Sequence, residues 1–133
     1  MIDSDTLPWL PCTPGFSLKL LRGGADDDPR VLLLRLEPGT LVPRHRHTGD
    51  VHAFNLRGSR VLLETGEVVG PGGYVYEPVG NVDSWRAIGD EPVHVLAIVR
   101  GAMETLGENG QVTDRTTTGS LTQAFQRFLE ARR

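Results

Sequence analysis

The close spacing of turn residues is the feature that most constrains the fold of this chain. Sixteen glycines and nine prolines divide its 133 residues into short apolar runs. Each run has the length of a β-strand and ends in a turn signal rich in Gly, Pro, Asp or Asn. The runs cover residues 16–21, 30–37, 51–56, 60–65, 74–78 and 93–101. Strands spaced this closely, with no helix between them, predict an all-β sandwich or barrel.

One helix is predicted, at the C-terminus. Ser120 and Gln123 have capping-box spacing, and apolar residues then recur on one helical face. These residues are Leu121, Phe125, Phe128 and Leu129. We expect the stripe to pack on the barrel or on a partner subunit. The length suits a single domain over residues 1–133, with a barrel core at about 16–101 and a C-terminal hairpin and helix at about 102–132.

Composition excludes several classes of function. The formal net charge is −3 and the basic residues are scattered, so we expect no nucleic-acid partner. Cys12 is the only cysteine, which excludes an intrachain disulfide and a thiolate zinc site. The N-terminus has no basic start followed by an apolar run, so no signal peptide is expected. No apolar run is long enough to span a bilayer. These features predict a cytoplasmic protein with no membrane partner.

Three of the four histidines lie within residues 43–58, PRHRHTGDVHAFNLRG. On a strand, His45 and His47 would point to the same face and present two imidazoles side by side. Neutral imidazole is the commonest metal ligand in proteins. The pair is therefore a candidate metal site. From these residues alone, two surface histidines flanked by Arg44 and Arg46 remain the alternative.

Two spaced segments resemble the motifs of the cupin superfamily. Residues 39–58 are similar to the first motif, Gly-x5-His-x-His-x(3,4)-Glu-x6-Gly, and residues 72–83 to the second, Gly-x5-Pro-x-Gly-x2-His. The segments come in the family's order and lie about 14 residues apart. The resemblance covers roughly residues 30–100. It implies a small antiparallel β-barrel of the jelly-roll type.

The chain departs from the cupin pattern at two ligand positions. Counting from His47 permits His52 at the position of the family's glutamate, whereas counting back from the last glycine of the motif selects Val51. The third family histidine is replaced by Asp83. The resemblance thus implies a metal held by His45, His47 and Asp83, with His52 as a further candidate ligand. A degenerate, metal-free site is the alternative.

A narrower resemblance implies an activity. The blocks HRHTGDVHAFNLRG and GGYVYEPVGNVDSW are similar to those of 2,4'-dihydroxyacetophenone dioxygenase-like cupins, a subgroup that includes acetylacetone-cleaving enzymes. Members use non-haem iron and dioxygen to cleave a carbon–carbon bond in hydroxyketones and β-diketones. The resemblance implies Fe(II) as cofactor, with Zn, Ni or Mn as alternatives. It also implies a small-molecule substrate, dioxygen and a homodimer.

Further residues are candidates for catalysis and substrate contact. His52 or Glu64 would complete the metal shell or act as a base, although His52 could equally line the barrel through a hydrogen bond. Glu77 could also be an inward ligand or base, but it immediately precedes a proline, so we expect it to stabilise a turn instead. The candidates for the substrate pocket are Phe54, Asn55, Tyr76 and Trp85. Asn55 faces the pocket only if Val51 also faces inward.

Two other functions remain open on the sequence. The same barrel can use its metal as a Lewis acid in a lyase, isomerase or hydrolase, because a fold does not determine a reaction. A non-catalytic cupin that binds a small ligand is the third possibility.

Overall fold

The computed structural model describes all residues from 1 to 133 and is dominated by antiparallel strands. A 3-10 helix at Ser4–Thr6 precedes the first strand. The strands are β1 (Leu10–Thr13), β2 (Phe16–Arg22), β3 (Arg30–Leu36), β4 (Leu41–His47), β5 (Val51–Arg57), β6 (Ser59–Leu62), β7 (Val68–Val69), β8 (Tyr74–Glu77), β9 (Val82–Ile88), β10 (Val93–Val99), β11 (Met103–Leu106) and β12 (Val112–Thr116). One α-helix, α1 (Thr118–Ala131), ends the chain. The predicted all-β fold with a C-terminal helix is confirmed.

The strands form two six-stranded sheets of the jelly-roll type. The first has the order β1-β2-β3-β10-β5-β8 and the second the order β12-β11-β4-β9-β6-β7. Strands that are distant in sequence therefore pair, as β3 does with β10. Residues of β10 alternate between buried and half-buried, as expected for a strand with one face on the core. The core between the sheets includes Leu36, Val93 and Ala87, which are fully buried.

Helix α1 begins earlier than the sequence predicts. Thr117 is the N-cap: its side chain accepts a hydrogen bond from the Ser120 backbone N–H, and the Thr117 N–H donates to Ser120 Oγ. The predicted box began at Ser120, but Thr117 has the extended backbone that a cap requires. Phe125 is buried and Leu121 packs against the core of the barrel. No helix has the length and apolar character needed to cross a membrane.

Candidate metal centre

His45, His47 and Glu77 converge inside the barrel. The two histidines come from β4 in one sheet, and the glutamate comes from β8 in the other. All three are buried, and their ligand-capable atoms lie within 4.8 Å of one another. The imidazole centroids are 4.9 Å apart, and His47 Nε2 lies 3.8 Å from Glu77 Oε1. Two imidazoles and one carboxylate form a ligand set known for divalent metals.

Glu77 takes the place of the carboxylate that the first motif lacks. Val51 faces inward at the position selected by counting back from the last motif glycine, and it pairs with Glu77 across β5 and β8. Directly opposed residues in antiparallel strands have neighbouring side chains on one face. A carboxylate on β8 therefore lies beside Val51, one of the two positions at which the first motif could have its glutamate. The expectation that Glu77 stabilises a turn missed this, because Tyr76 was a pocket candidate and strand alternation then turns Glu77 away from the pocket.

Hydrogen bonding and burial orient the two imidazoles and favour metal binding. His45 Nδ1 lies 2.8 Å from the Pro43 carbonyl oxygen. Because a carbonyl only accepts, Nδ1 carries a proton, so Nε2 is the His45 atom that can bind a metal. Burial, with the positive charges of His45 and Arg30, lowers the pKa of His47 to about 3. Its buried Nδ1 has no hydrogen-bond partner. The two imidazoles beside Glu77 therefore offer nitrogen donors that fit a divalent cation.

Asp83 lies beside this cluster without joining the three convergent residues. It pairs with His45 across β4 and β9 and is buried. Burial, and next the negative charge of Glu77, raise the pKa of Asp83 to about 7. Burial also raises the pKa of Glu77. Two carboxyl groups buried together favour either protonation or a bound cation. Asp83 as a metal ligand stays a prediction.

In metal-free protein, Asp83→Asn should become increasingly stabilising relative to wild type as the pH rises. The folded pKa of Asp83, about 7, exceeds its ordinary value of 3.8. The protonated Asp83 carboxyl therefore contributes its full stability below the pKa that it has in the unfolded chain. This contribution is lost as the pH rises through the pKa that it has in the folded protein. Between about pH 5 and pH 8 the difference in unfolding free energy should grow by on the order of 2 kcal/mol.

Urea unfolding of chelator-treated protein at several pH values measures this difference. Asp90→Asn, in an exposed turn, is the matched control. A difference between the Asp83 variant and wild type that does not change with pH would contradict the raised pKa.

The structure places three of the sequence candidates on the outer face of the first sheet. Because Val51 faces inward, His52 and Phe54 face outward by the two-residue period of a strand. His52 Nδ1 and the Tyr74 hydroxyl share a hydrogen bond of 2.6 Å. Phe54 and Tyr76 are 39% and 49% exposed. His52 therefore does not reach the metal cluster, and these aromatic rings do not line its cavity.

The other candidates lie inside or beside the barrel. Trp85 is buried and lines the cavity, with the Arg60 guanidinium 4.6 Å from its ring centroid. Asn55 is buried and faces inward, but its amide donates to the carbonyls of Gly58 and Val69 and accepts from Arg60. We therefore assign Asn55 a structural role.

Glu64 lies in the turn after β6 and accepts hydrogen bonds from the backbone and hydroxyl of Ser84, at 2.7 and 2.6 Å. It is not one of the three convergent residues. Its carboxylate is already occupied by two strong donors, which leaves Glu77 as the better candidate for a metal ligand from a neighbouring strand.

The convergent residues line a cavity of about 340 Å³ between the sheets. A cavity of this size suits a small organic ligand. Apolar side chains of both sheets form most of its wall, and β1 and the β11–β12 hairpin add polar groups. Sequence reasoning missed several polar lining residues: Thr13, Arg30, Arg60, Thr105, Asp114 and Thr116.

The two-sheet barrel with histidines on an inner strand is the architecture of a cupin, which confirms the superfamily resemblance. The chain belongs to the ChrR Cupin-like domain family, whose model matches residues 1–104. No curated protein sequence matches the chain.

Solved structures share this fold at low sequence identity. An RmlC-like cupin from Ralstonia eutropha is 22% identical with a TM-score of 0.91, covering 98% of this chain and 87% of that one. An acetylacetone dioxygenase from Acinetobacter johnsonii is 15% identical with a TM-score of 0.79, covering 96% and 89%. A protein from Methylibium petroleiphilum described as an acetylacetone dioxygenase is 16% identical with a TM-score of 0.82, covering 94% and 92%. At these identities the similarity establishes the fold.

Proposed function

We propose that this protein is a metal-dependent dioxygenase that cleaves a carbon–carbon bond in a small hydroxyketone or diketone. The observation that carries the proposal is the convergence of His45, His47 and Glu77 in a mainly apolar cavity between the two sheets. Two histidines and one carboxylate form the facial triad that leaves open positions on ferrous iron. Fe(II) is therefore the proposed metal, with Zn, Ni and Mn as alternatives.

Ferrous iron, when bound, would supply Lewis acidity and redox chemistry with dioxygen. The Pro43 carbonyl orients the His45 ring through Nδ1, and Glu77 supplies the negative charge of the ligand set. The apolar wall, including Trp85, excludes water from a bound ketone. Asp83, with its pKa near neutrality, is the proposed acceptor of the acidic proton on the carbon between the two carbonyl groups of a β-diketone.

The comparisons support this activity without establishing it. Two of the similar structures bear the name of a dioxygenase that acts on acetylacetone, a β-diketone. Their overall similarity extends over more than nine-tenths of this chain. The shared fold, together with the cavity of this chain, makes a bidentate ketone the first class of substrate to test.

The test is oxygen uptake by iron-loaded protein with a panel of hydroxyketones and β-diketones. We expect uptake with at least one compound, together with stoichiometric loss of that substrate. His45→Gln should abolish uptake and metal retention, whereas His52→Gln, on the outer face, should preserve both. Absence of uptake across the panel in protein that holds iron would exclude the proposed reaction.

A second candidate is a non-catalytic cupin that binds a metal or small ligand. The family match supports this candidate, because the family is defined by similarity to the ChrR domain and not by an enzymatic activity. Tight ligand binding without turnover would support this candidate. A Lewis-acid lyase, isomerase or hydrolase would instead consume its substrate without oxygen. A homodimer and a cytoplasmic location also remain predictions from the sequence.

A further inference from the structure

Arg30 is a fully buried arginine on the wall of the metal cavity. It is 2% exposed and lines the same cavity as His45, His47 and Glu77. Its Nη1 donates to the Gly101 carbonyl at 2.7 Å and to Thr118 Oγ1 at 3.2 Å. Its Nε is buried and has no partner. The guanidinium is thus held by one nitrogen, and the edge formed by Nε and Nη2 makes no hydrogen bond to the protein.

No carboxylate of the protein neutralises this charge. None of the ion pairs of the structure includes Arg30. Burial alone lowers its pKa, to about 10, so the group stays charged at neutral pH. Arg60, the other buried arginine of the cavity, differs because the charges of Asp83 and Glu77 support its protonated form. A buried guanidinium without an anion is unfavourable unless a ligand supplies one.

The free edge of Arg30 has the geometry for a planar anion. Nε–H and Nη2–H point the same way and match the two oxygens of a carboxylate. The charge of Arg30 also reaches the metal cluster, since it contributes to the lowered pKa of His47. With a divalent cation bound, this cation and two arginines would carry four positive charges, against at most three negative charges on Glu77, Asp83 and Asp114. The cavity would then favour a negatively charged ligand.

We propose that Arg30 binds the carboxylate of a small keto acid, so that the ligand of this cavity is an anionic ketone. The ketone part of this ligand rests on the proposed function, whereas the carboxylate part rests on Arg30 alone. The preferred compounds would be diketo or hydroxyketo acids in which a carboxylate replaces an alkyl end of the neutral ketone.

The test compares two ligands that differ at one end, 2,4-dioxopentanoate and acetylacetone. Their affinities are measured by calorimetry under anaerobic conditions, with protein as purified and with protein loaded with Zn(II). A charge-assisted bidentate contact should favour the acid by about ten- to a hundredfold. Arg30→Met should reduce this preference to less than about threefold. Zn(II) supports no oxygen chemistry, so the outcome is independent of turnover.

A matched variant separates ligand binding from a structural role of Arg30. Thr118→Val removes one acceptor of the guanidinium but keeps its charge, so the preference for the acid should survive. Arg30→Lys keeps the positive charge but lacks the planar pair of N–H donors, so it should give an intermediate preference for the acid. Circular dichroism would establish that each variant is folded.

Three results would overturn the inference: binding of neither ligand, equal affinity for both in wild type, or an undiminished preference in folded Arg30→Met. Equal affinity for the two ligands, together with oxygen uptake on neutral diketones, would leave the proposed function intact and remove the role of Arg30. Conversely, a preference that depends on Arg30 without oxygen uptake would support the anion site and reject the dioxygenase.

Discussion

Replacing Glu77 by glutamine should weaken the binding of a divalent metal by more than about a hundredfold, because loss of an outer-shell partner alone costs ten- to a hundredfold. Glutamine keeps the size of the side chain and an oxygen that can accept from Asn81, as Glu77 does at 3.0 Å. The substitution removes the only negatively charged ligand atom among the three convergent residues. Competition with a chromophoric chelator, using Zn(II) and anaerobic Fe(II), measures the affinity.

Two further variants make this result interpretable. Glu91→Gln removes an exposed carboxylate whose contact is a surface ion pair with Arg57, and it should retain the wild-type affinity. Asp83→Asn should weaken binding less than Glu77→Gln, because Asp83 lies outside the convergent group. If Asp83→Asn abolished binding while Glu77→Gln retained it, Asp83 would be the carboxylate ligand, as the second motif alone implies.

Gly58→Ala should destabilise the fold by about 2–5 kcal/mol, which combines left-handed strain with overpacking. Gly58 has φ +69°, a region that side chains with a Cβ rarely occupy. A Cβ there would lie 2.4 Å from the Pro92 carbonyl oxygen and 2.9 Å from Val93 Cα. Both are backbone atoms, one just before β10 and one in its first residue, so neither can move aside as a flexible side chain could.

Gly39→Ala provides the matched comparison. Gly39 has φ +84°, but a Cβ there would meet nothing within 4 Å. Strain alone should cost about 1–2 kcal/mol. Urea unfolding of both variants separates conformational strain from the clash. Equal losses of unfolding free energy would show that the approach of β10 to Gly58 contributes nothing to the requirement for glycine.

The general architecture could be predicted because its signals are local. Turn glycines and apolar runs are read directly from neighbouring residues, and they correctly indicated a barrel of short strands. The paired histidines on one strand face follow from the two-residue period, which places both His45 and His47 inward. The predicted start of the helix was wrong because Thr117 and Ser120 form the capping box, whereas the prediction from the sequence assigned it to Ser120 and Gln123.

The orientation of β5 was ambiguous on the sequence for a physical reason. Moving a strand by one residue exchanges its two faces, so counting from His47 and counting from Gly58 gave opposite orientations. The structure has Val51 inward and His52 outward. Pairing with β8 and β10 decides this, since those strands set which face of β5 meets the core.

The sequence by itself determined the class of fold, the two histidines and the glycines that turn the chain between strands. Only the tertiary structure decided which carboxylate joins those histidines, because Glu77 reaches them through its pairing with Val51 across two strands. It also decided that Arg30 lies buried on the cavity wall without an anion. Spacing along a chain cannot report such contacts, since they depend on how the sheets pair and face each other.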